Sequence, residues 1–299
     1  MLLNIYKKLL LKTIYQIIKK RRLTNYFLGL KKMVVNEKKK RIVIGLEYDG
    51  TKYKGFQKQQ NTSFTIQGQV EKALSKIADE KVKTVCSGRT DAGVHAYCQV
   101  IHFDTDKARK IQSWINGGNS LLSEDIRILW AKKEKEEFHA RFSAVSRSYR
   151  YILRLSKLPS ALAKNRTLWI KNKLDIDAMK KSSKFLIGEH DFSSFRGSSC
   201  QSKTPFRKIQ KITFITDKEL VLIDITANAF LLNMVRIIIG TLLLVGRKEI
   251  PYSDMKNILE AKDRRLAGKT APSSGLYFLG PSYPRKFNIP VQNNNLSEL

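Results

Sequence analysis

The sequence is poor in the residues that build disulfide frameworks and zinc centres. Its 299 residues include only three cysteines, Cys86, Cys98 and Cys200, and no two of them form a Cys-x-x-Cys pair. An odd, unpaired set of this kind is typical of a reducing compartment. The four histidines do not show the spacing of metal ligands either. We therefore predict no disulfides and no metal site.

The sequence also lacks a long hydrophobic run. The best candidate for a membrane span, residues 229–245, is marginal in length for a bilayer and contains Asn233 and Arg236. We interpret it as a buried helix and predict no integral membrane association. Together with the unpaired cysteines, this favours a cytoplasmic protein.

Acidic residues are scarce, and residues 1–36 contain none. In this segment Lys and Arg interrupt apolar residues at helical spacing, which predicts a basic amphipathic extension over residues 1–39. Three interpretations stay open: an organelle-targeting segment, an arm that faces RNA or membrane, or translated sequence upstream of a later start at Met33. Because serine and a small-residue cleavage site are missing, a secretory signal is disfavoured.

Positive charge is what the sequence has in excess. Lys and Arg number 56 against 26 Asp and Glu, which gives a formal net charge of +30. This charge predicts a polyanionic partner, nucleic acid first and an acidic membrane second, although a biased genome composition also produces Lys-rich chains. The 42% hydrophobic content is sufficient for a packed core and excludes global disorder.

The periodicity predicts an α+β protein in two related halves. Strand patterns alternate with helical patterns twice over, without the long apolar strands of an all-parallel sheet. We expect mainly antiparallel sheets flanked by helices, with halves at residues 40–140 and 141–285 and a loose polar tail at 286–299. One helix is expected to begin at Thr65, with Glu71 on its polar face, and a short one to cover 111–115 and end at Gly117-Gly118. A third is expected to begin at Asp175 and to be closed by residues 188–191. Two more are expected over 229–245 and 252–261. The expected strands cover 41–48, 81–86, 97–104, 125–130, 146–153, 207–216, 220–226 and 275–280.

The densest chemistry lies in the loop at residues 86–96. Its sequence, CSGRTDAGVHA, combines a carboxylate, a guanidinium and an imidazole with two glycines, and loops held by rigid strands often carry active sites. Asp91 is either a turn-forming residue or a catalytic acid. Arg89 is either a solvated surface charge or a contact to RNA phosphate and to the gap left by an extruded base. His95 is interpreted as a structural imidazole, because no second ligand or nucleophile accompanies it.

Arg236 favours the catalytic interpretation of Asp91. It lies in the apolar run Met234–Ile239, so its guanidinium is expected to leave water and to require a carboxylate partner. The available acids are Asp224, on the preceding predicted strand, and Asp91, by long-range contact. If Asp91 is the partner, the pair stays charged and oriented, as a carboxylate nucleophile requires.

Two further segments suit nucleic acid. Tyr149 and Arg147 share one face of the strand at 146–153, where they form either a nucleobase platform or ordinary sheet packing. The loop at 53–59 mixes basic, aromatic and amide side chains, which suits phosphate contact and base stacking but also describes an ordinary polar loop.

Five ordered motifs between about Arg41 and about Pro284 resemble the tRNA pseudouridine synthase A family. They lie at residues 46–51, 88–96, 138–144, 228–236 and 275–277. The resemblance implies two ferredoxin-like halves, a basic active-site cleft between them, and a homodimer that binds tRNA. Phe56, where the family often has Trp, and Ala96-Tyr97, where a smaller pair is common, are mild departures.

The resemblance also implies roles for individual residues. Asp91 matches the catalytic aspartate, and Arg236 matches the basic residue that pairs with it. Tyr149 matches the tyrosine that packs against the target uracil and is a candidate base. Arg89 matches the arginine that opens the stack and holds the flipped nucleotide, and Leu276 matches an apolar residue beside the base.

The reaction implied is isomerisation of uridine to pseudouridine in the tRNA anticodon stem-loop, at positions 38, 39 and 40 in tRNA numbering, without metal or cofactor. Whether Asp91 attacks C1′ of the ribose or C6 of the base stays open. One alternative is a catalytically silent tRNA-binding protein on the same fold. Another is a metal-dependent nuclease that uses Asp49, Asp91 and Asp104.

Overall fold

The computed structural model describes Leu10, Lys12, Thr13, residues 16–20 and residues 39–290. The chain divides into two units, Met1–Lys39 and Lys40–Leu299. The residues described before position 21 are helical and exposed. The rest of the predicted amphipathic segment, up to residue 38, and residues 291–299 of the predicted tail lie outside the described residues.

The first half is a βαββαβ unit. Its strands are β1 (Lys40–Tyr48), β2 (Val85–Cys86), β3 (His95–Thr105) and β4 (Ile126–Glu134), and its helices are α1 (Ile66–Ala78) and α2 (Ile111–Leu121). The strands lie in the order β4-β1-β3-β2, and each pair is antiparallel. This succession is the ferredoxin-like arrangement.

The second half repeats the plan with additions. Its strands are β5 (Ser146–Leu155), β6 (Leu168–Ile170), β7 (Gly188–Asp191), β8 (Phe206–Asp217), β9 (Leu220–Ala227) and β10 (Leu276–Ser282), and its helices are α3 (Ile176–Ser183), α4 (Met234–Gly246) and α5 (Asp254–Ala261). Without β6, β7 and α5, the succession is again βαββαβ, and the spatial order β10-β5-β9-β8 matches that of the first half.

Strand β10 joins the two halves into one sheet. It pairs antiparallel with β5 and parallel with the first residues of β3, where Tyr277 faces His95 and Phe278 faces Ala96. The result is one ten-stranded, mostly antiparallel sheet rather than a separate sheet in each half. The junction falls directly after the loop at 86–94, so this loop lies beside the second half.

The helices and the main core occupy one face of this sheet. Ile42, Ile44 and Leu46 of β1 belong to a cluster to which all five α-helices of residues 40–290 contribute. On the opposite face Val43 packs with Phe138 and Phe287. Phe287 falls in the predicted polar tail but is buried, because a short 3-10 turn at Arg285–Phe287 returns its ring to within 5.2 Å of Phe138.

Helix α2 does not stop at Gly117-Gly118, as the sequence pattern predicted. It continues to Leu121, and a Cβ added to Gly118 would lie 2.2 Å from Cδ1 of Ile128. The glycine therefore allows α2 to approach β4 closely. Residues 188–191 likewise form the edge strand β7, not the end of a helix.

Glu71 is buried rather than on the polar face of α1. Its Oε1 accepts hydrogen bonds from Thr84 N at 2.8 Å, Thr84 Oγ1 at 3.2 Å and Gln67 Nε2 at 3.0 Å. These donors replace the water that a carboxylate loses on burial. Glu71 thus ties α1 to the segment that leads into β2.

Helix α4 begins at Met234, five residues later than predicted. Asn233 has a left-handed backbone conformation, with φ of 60°, which separates the helix from the loop at 229–233. No helix in the described residues is long and apolar enough to cross a bilayer. As predicted, α4 is a buried helix.

Candidate active site

A cleft of about 1210 Å³ is lined by segments from both halves. The first half contributes the loops around residues 54–59 and 84–94, and the second half contributes residues around 141–149, 199–207 and 229–236 with Leu276. Among the described lining residues Asp91 is the only acid. Six lining residues are basic: Lys54, Arg89, Arg141, Arg147, Arg207 and Arg236.

The loop that carries Asp91 is held from both sides. The hydroxyl of Tyr48, on β1, lies 2.7 Å from Thr90 Oγ1, and Phe56 N donates to Thr90 O at 3.0 Å. Asp91 O accepts from Val94 N at 3.2 Å, so the main chain turns here through a backbone hydrogen bond. Gly93 occupies the left-handed region at φ of 76°, where a side chain would be strained. The carboxylate itself remains free to face the cleft.

The structure places Arg236 beside Asp91. Arg236 Nη1 lies 3.4 Å from Asp91 Oδ2, and the exposed fractions of the two side chains are 18% and 31%. Arg236 Nε donates to Ala271 O at 2.7 Å, and Nη1 also donates to Asn233 Oδ1 at 3.2 Å. These contacts orient the guanidinium in the first turn of α4, whose positive end faces the same region. The pair is partly exposed rather than fully removed from water.

Asp224 does not partner Arg236. It forms two hydrogen bonds with Arg150, both at 2.8 Å, across β5 and β9. This pair satisfies a charge elsewhere on the sheet, so of the two acids considered from sequence only Asp91 lies beside Arg236.

Tyr149 presents its ring to the cleft from β5. The ring packs edge-to-face with Phe230 at 5.0 Å and is tilted against Phe278 at 4.9 Å. Burial raises the pKa of the Tyr149 phenol far above its ordinary value, and the negative charge of Asp91 acts in the same direction. The phenol is therefore protonated at neutral pH, which disfavours a phenolate base and suits a packing role.

Arg89 and Leu276 lie in the same cleft but in different environments. Arg89 is exposed and makes no hydrogen bond or ion pair within the described part of the chain. Leu276, the first residue of β10, is buried and presents an apolar surface. All five residues predicted for the site thus line one cleft.

His95 lies at the end of the loop and is fully engaged by its neighbours. Its Nδ1 accepts from Gly50 N at 3.2 Å and lies 3.1 Å from Asp49 Oδ1, while its Nε2 lies 2.8 Å from Asn165 O. Its ring stacks on Tyr277 at 4.7 Å. This is the environment of a structural imidazole, in agreement with the interpretation from sequence.

Arg147 has a different role from the nucleobase platform considered above. Its guanidinium donates to the carbonyl oxygens of Ser87 (3.1 Å), Ala144 (3.1 Å) and Asn228 (2.9 Å), and contacts that of Arg141. It therefore fastens the start of the Asp91 loop to two segments of the second half.

Comparison with known proteins decides the family. A family model described as tRNA pseudouridine synthase matches residues 46–143 and 183–284. The tRNA pseudouridine synthase A of Legionella pneumophila (strain Lens) is 48% identical over 254 residues, which cover 85% of this chain and 96% of that protein. The tRNA pseudouridine synthase A of Coxiella burnetii (strain Dugway 5J108-111) is 48% identical over 250 residues, which cover 84% and 95%. The chain belongs to the tRNA pseudouridine synthase family.

Solved structures are more distant. The crystal structure of the archaeal box H/ACA sRNP Nop10-Cbf5 complex matches with a TM-score of 0.33 and 12% identity, over 76% of this chain and 60% of that one. A likeness this low supports no further conclusion.

The geometry of this family member does not support the nuclease alternative. Asp49 lies against His95 at the start of β3, whereas Asp104 pairs with Arg41 near the other end of the strand. Nine residues of extended strand separate these ends by about 30 Å. Within the residues described, no group of three or more His, Cys, Asp or Glu side chains is placed to hold a metal ion.

Several lining residues of this synthase-family cleft were not singled out from the sequence. Arg141, Phe142 and Arg207 all line it. Arg141 and Phe142 belong to one of the five family motifs, but the motif alone does not tell which of its side chains are exposed. Arg207 was counted only as the first residue of a strand, because alternation does not show which cleft a strand end borders.

Proposed function

We propose that this chain isomerises uridine to pseudouridine in the anticodon stem-loop of tRNA. The observation that carries the proposal is Asp91, a single carboxylate beside Arg236 in a cleft whose other charged lining residues, among those described, are all cationic. A polyanionic RNA matches such a lining. Family membership and the names of the relatives support the same activity.

The reaction needs one nucleophile and a site that retains the detached uracil. The N1–C1′ glycosidic bond breaks, the uracil rotates, and C5 bonds to C1′. The C5 proton leaves and N1 gains a proton, so the composition of the nucleotide is unchanged. Asp91 acts as the nucleophile, at C1′ or at C6. Since no atom or electron is supplied from outside, we propose that no cofactor and no metal takes part.

The cleft residues divide the remaining tasks. The uridine must leave the base stack, at a cost of a few kcal/mol, and the exposed Arg89 is free to occupy the gap and to contact phosphate. Tyr149 and Leu276 then bound the everted uracil with an aromatic ring and an apolar side chain. Phosphate contacts by the basic lining offset the energy of extrusion.

We further propose that the protein acts in the cytoplasm as a homodimer, on adjacent uridines at positions 38, 39 and 40. The support for these points is the resemblance to the family and, for adjacent positions, the volume of the cleft, about 1210 Å³. Sedimentation of the purified protein at several concentrations tests the homodimer.

The decisive experiment compares the wild-type chain with Asp91→Asn. We expect the wild-type protein to form pseudouridine in unmodified tRNA, mapped at single-nucleotide resolution. Asp91→Asn should lose this activity entirely while its affinity for the same tRNA stays within about threefold, because the phosphate contacts remain.

Two results would contradict the proposal. Substantial turnover in both Asp91→Asn and Asp91→Ala would show that another group does the chemistry. Tight tRNA binding by the wild-type protein without any product would favour the silent tRNA-binding alternative.

A further inference from the structure

Phe142 is an apolar ring that faces solvent at the cleft. Its side chain is 77% exposed, although it lines the cleft that contains Asp91. A large exposed aromatic ring in a binding cleft indicates a surface that a ligand covers. No step of the isomerisation proposed above uses it.

The ring is held in place by its own turn. His139 Nδ1 accepts hydrogen bonds from Arg141 N at 3.2 Å and from Phe142 N at 3.1 Å. The His139 ring stacks on Phe142 at 4.3 Å, and Arg141 Cζ lies 5.5 Å from the Phe142 centroid. Burial lowers the pKa of His139, so its Nδ1 is unprotonated and accepts both bonds near neutral pH.

The turn at residues 138–144 is itself anchored to the sheet. His102, on β3, accepts from Ala140 N at 3.1 Å, and Arg147, on β5, donates to Ala144 O at 3.1 Å. Phe138 is fully buried. The Phe142 ring is therefore presented by a rigid support, which reduces the entropy lost when a ligand binds.

We propose that Phe142, with Arg141 beside it, is the stacking site for an unpaired nucleobase that flanks the reacting uridine. The surroundings specify RNA rather than another polypeptide, because the same cleft carries six basic residues against one acid among those described. Bases of single-stranded segments stack on aromatic rings and on guanidinium groups, and Arg141 can contact the adjoining phosphate. The proposal rests on the proposed function and adds a substrate-binding residue to it.

The first test measures affinity and chemistry separately. Phe142→Ala should weaken binding of an anticodon stem-loop RNA by about 5- to 150-fold, the range for loss of one base–aromatic stack. The single-turnover rate at saturating RNA should stay within about threefold of wild type. Phe142→Trp should retain affinity, Phe142→Leu should lose most of it, and Leu162→Ala, an exposed control outside the cleft, should behave as wild type.

The second test identifies the base. Each unpaired nucleotide next to the target uridine is replaced by an abasic one, in separate RNAs. At one position the abasic change should weaken binding to the wild-type protein but not weaken binding to Phe142→Ala any further.

Additive effects at every position, or unchanged affinity of Phe142→Ala, would overturn the proposal. So would a fall in sedimentation mass on Phe142→Ala, which would make the ring a contact between copies of the chain. The wild-type protein forms pseudouridine in all these outcomes, so failure here is distinguishable from failure of the proposed function.

Discussion

Arg236 donates hydrogen bonds to three acceptors, so a substitution at this position removes several interactions at once. The acceptors are Asp91 Oδ2, Asn233 Oδ1 and Ala271 O. Arg236→Leu removes the charge and all three bonds. We expect it to abolish isomerisation and to lower the free energy of unfolding by roughly 1–3 kcal/mol, because polar groups lose their partner.

Arg236→Lys is the matched variant for this prediction. It keeps the charge, but a single ammonium group cannot hold Ala271 and Asp91 with the geometry of a guanidinium. We expect partial recovery of stability, measured by urea unfolding, and little recovery of the single-turnover rate. Full activity in Arg236→Leu would show that the pair with Asp91 is not needed.

Residue identity alone revealed some of the site and not the rest. A proximity of Asp91 and Arg236 could be anticipated because an arginine in an apolar run needs a partner. The position of Phe142 could not, since exposure depends on which side of a turn faces the cleft. Nor could the role of Arg147, because its acceptors are backbone carbonyls that no side-chain pattern records.

The turn at residues 138–144 depends on an unprotonated histidine on β3. His102 accepts from Ala140 N through Nδ1, and burial, with the charges of Arg41 and His139, lowers its pKa from 6.5 to about 4. As pH falls below 6.5 the unfolded chain binds the proton before the folded chain does. The contribution of His102 to stability is therefore complete above pH 6.5 and is lost towards pH 4.

His102→Asn tests this dependence. The amide oxygen of Asn can accept from Ala140 N and does not titrate. Relative to this variant, the wild-type protein should lose about 3 kcal/mol of unfolding free energy between pH 7 and pH 4, measured by urea unfolding at several pH values. Parallel pH profiles for the two proteins would contradict the prediction.

Helix α4 packs directly against residues 269–271, the segment that supports Arg236. A Cβ on Gly240 would lie 1.8 Å from Lys269 O, and two residues later Ala271 bonds to both the backbone and the side chain of Arg236. We expect Gly240→Ala to displace this segment, to lower the free energy of unfolding by about 1–3 kcal/mol or more, and to lower the isomerisation rate.

Gly117→Ala is the control, in a helix with room for the methyl group. Its Cβ would lie 3.4 Å from the Ile77 side chain, an ordinary contact. The free energy of unfolding should stay constant or rise by up to about 1 kcal/mol, since alanine is the better helix former. Equal losses in both variants would show that the close approach at Gly240 is not what matters.

These elements show where periodicity succeeds and where it fails. Strands β1, β8 and β9 were predicted nearly to the residue, because each is a run rich in Val, Ile or Thr that is followed or preceded by a turn signal. Gly117-Gly118 was misread as a helix end, since glycine also serves close packing. The start of α4 was placed too early because the apolar loop before it continues the helical pattern up to Asn233.

At the scale of the molecule, the repeat of two similar halves could be predicted from the sequence, whereas the junction between β3 and β10 could not. Two related halves of strands and helices follow from the order of the sequence patterns. The parallel contact between β3 and β10 joins residues about 180 positions apart in sequence, and a short buried strand carries no mark of its partner. This contact creates the cleft, because it places the Asp91 loop against α4.

The charge of the whole molecule and the charge of the cleft predict different salt responses. The chain has a formal net charge of +30, while the cleft holds six of the cations. The logarithm of tRNA affinity should fall linearly with the logarithm of salt concentration, and only charges that meet phosphate release counterions. Lys54 is exposed and lines the cleft, whereas Lys72 is exposed on α1 outside it.

Lys54→Gln and Lys72→Gln each lower the net charge by one. A comparison of the two variants therefore tests the position of the lost charge separately from the net charge. We expect Lys54→Gln to reduce the slope of the salt dependence by about 1 and Lys72→Gln to leave it unchanged. Filter binding of unmodified tRNA between low and near-physiological salt measures both slopes. If the two variants change the slope equally, RNA is held by the general positive charge of the surface. That result would contradict the proposal that the anticodon stem-loop binds in the cleft.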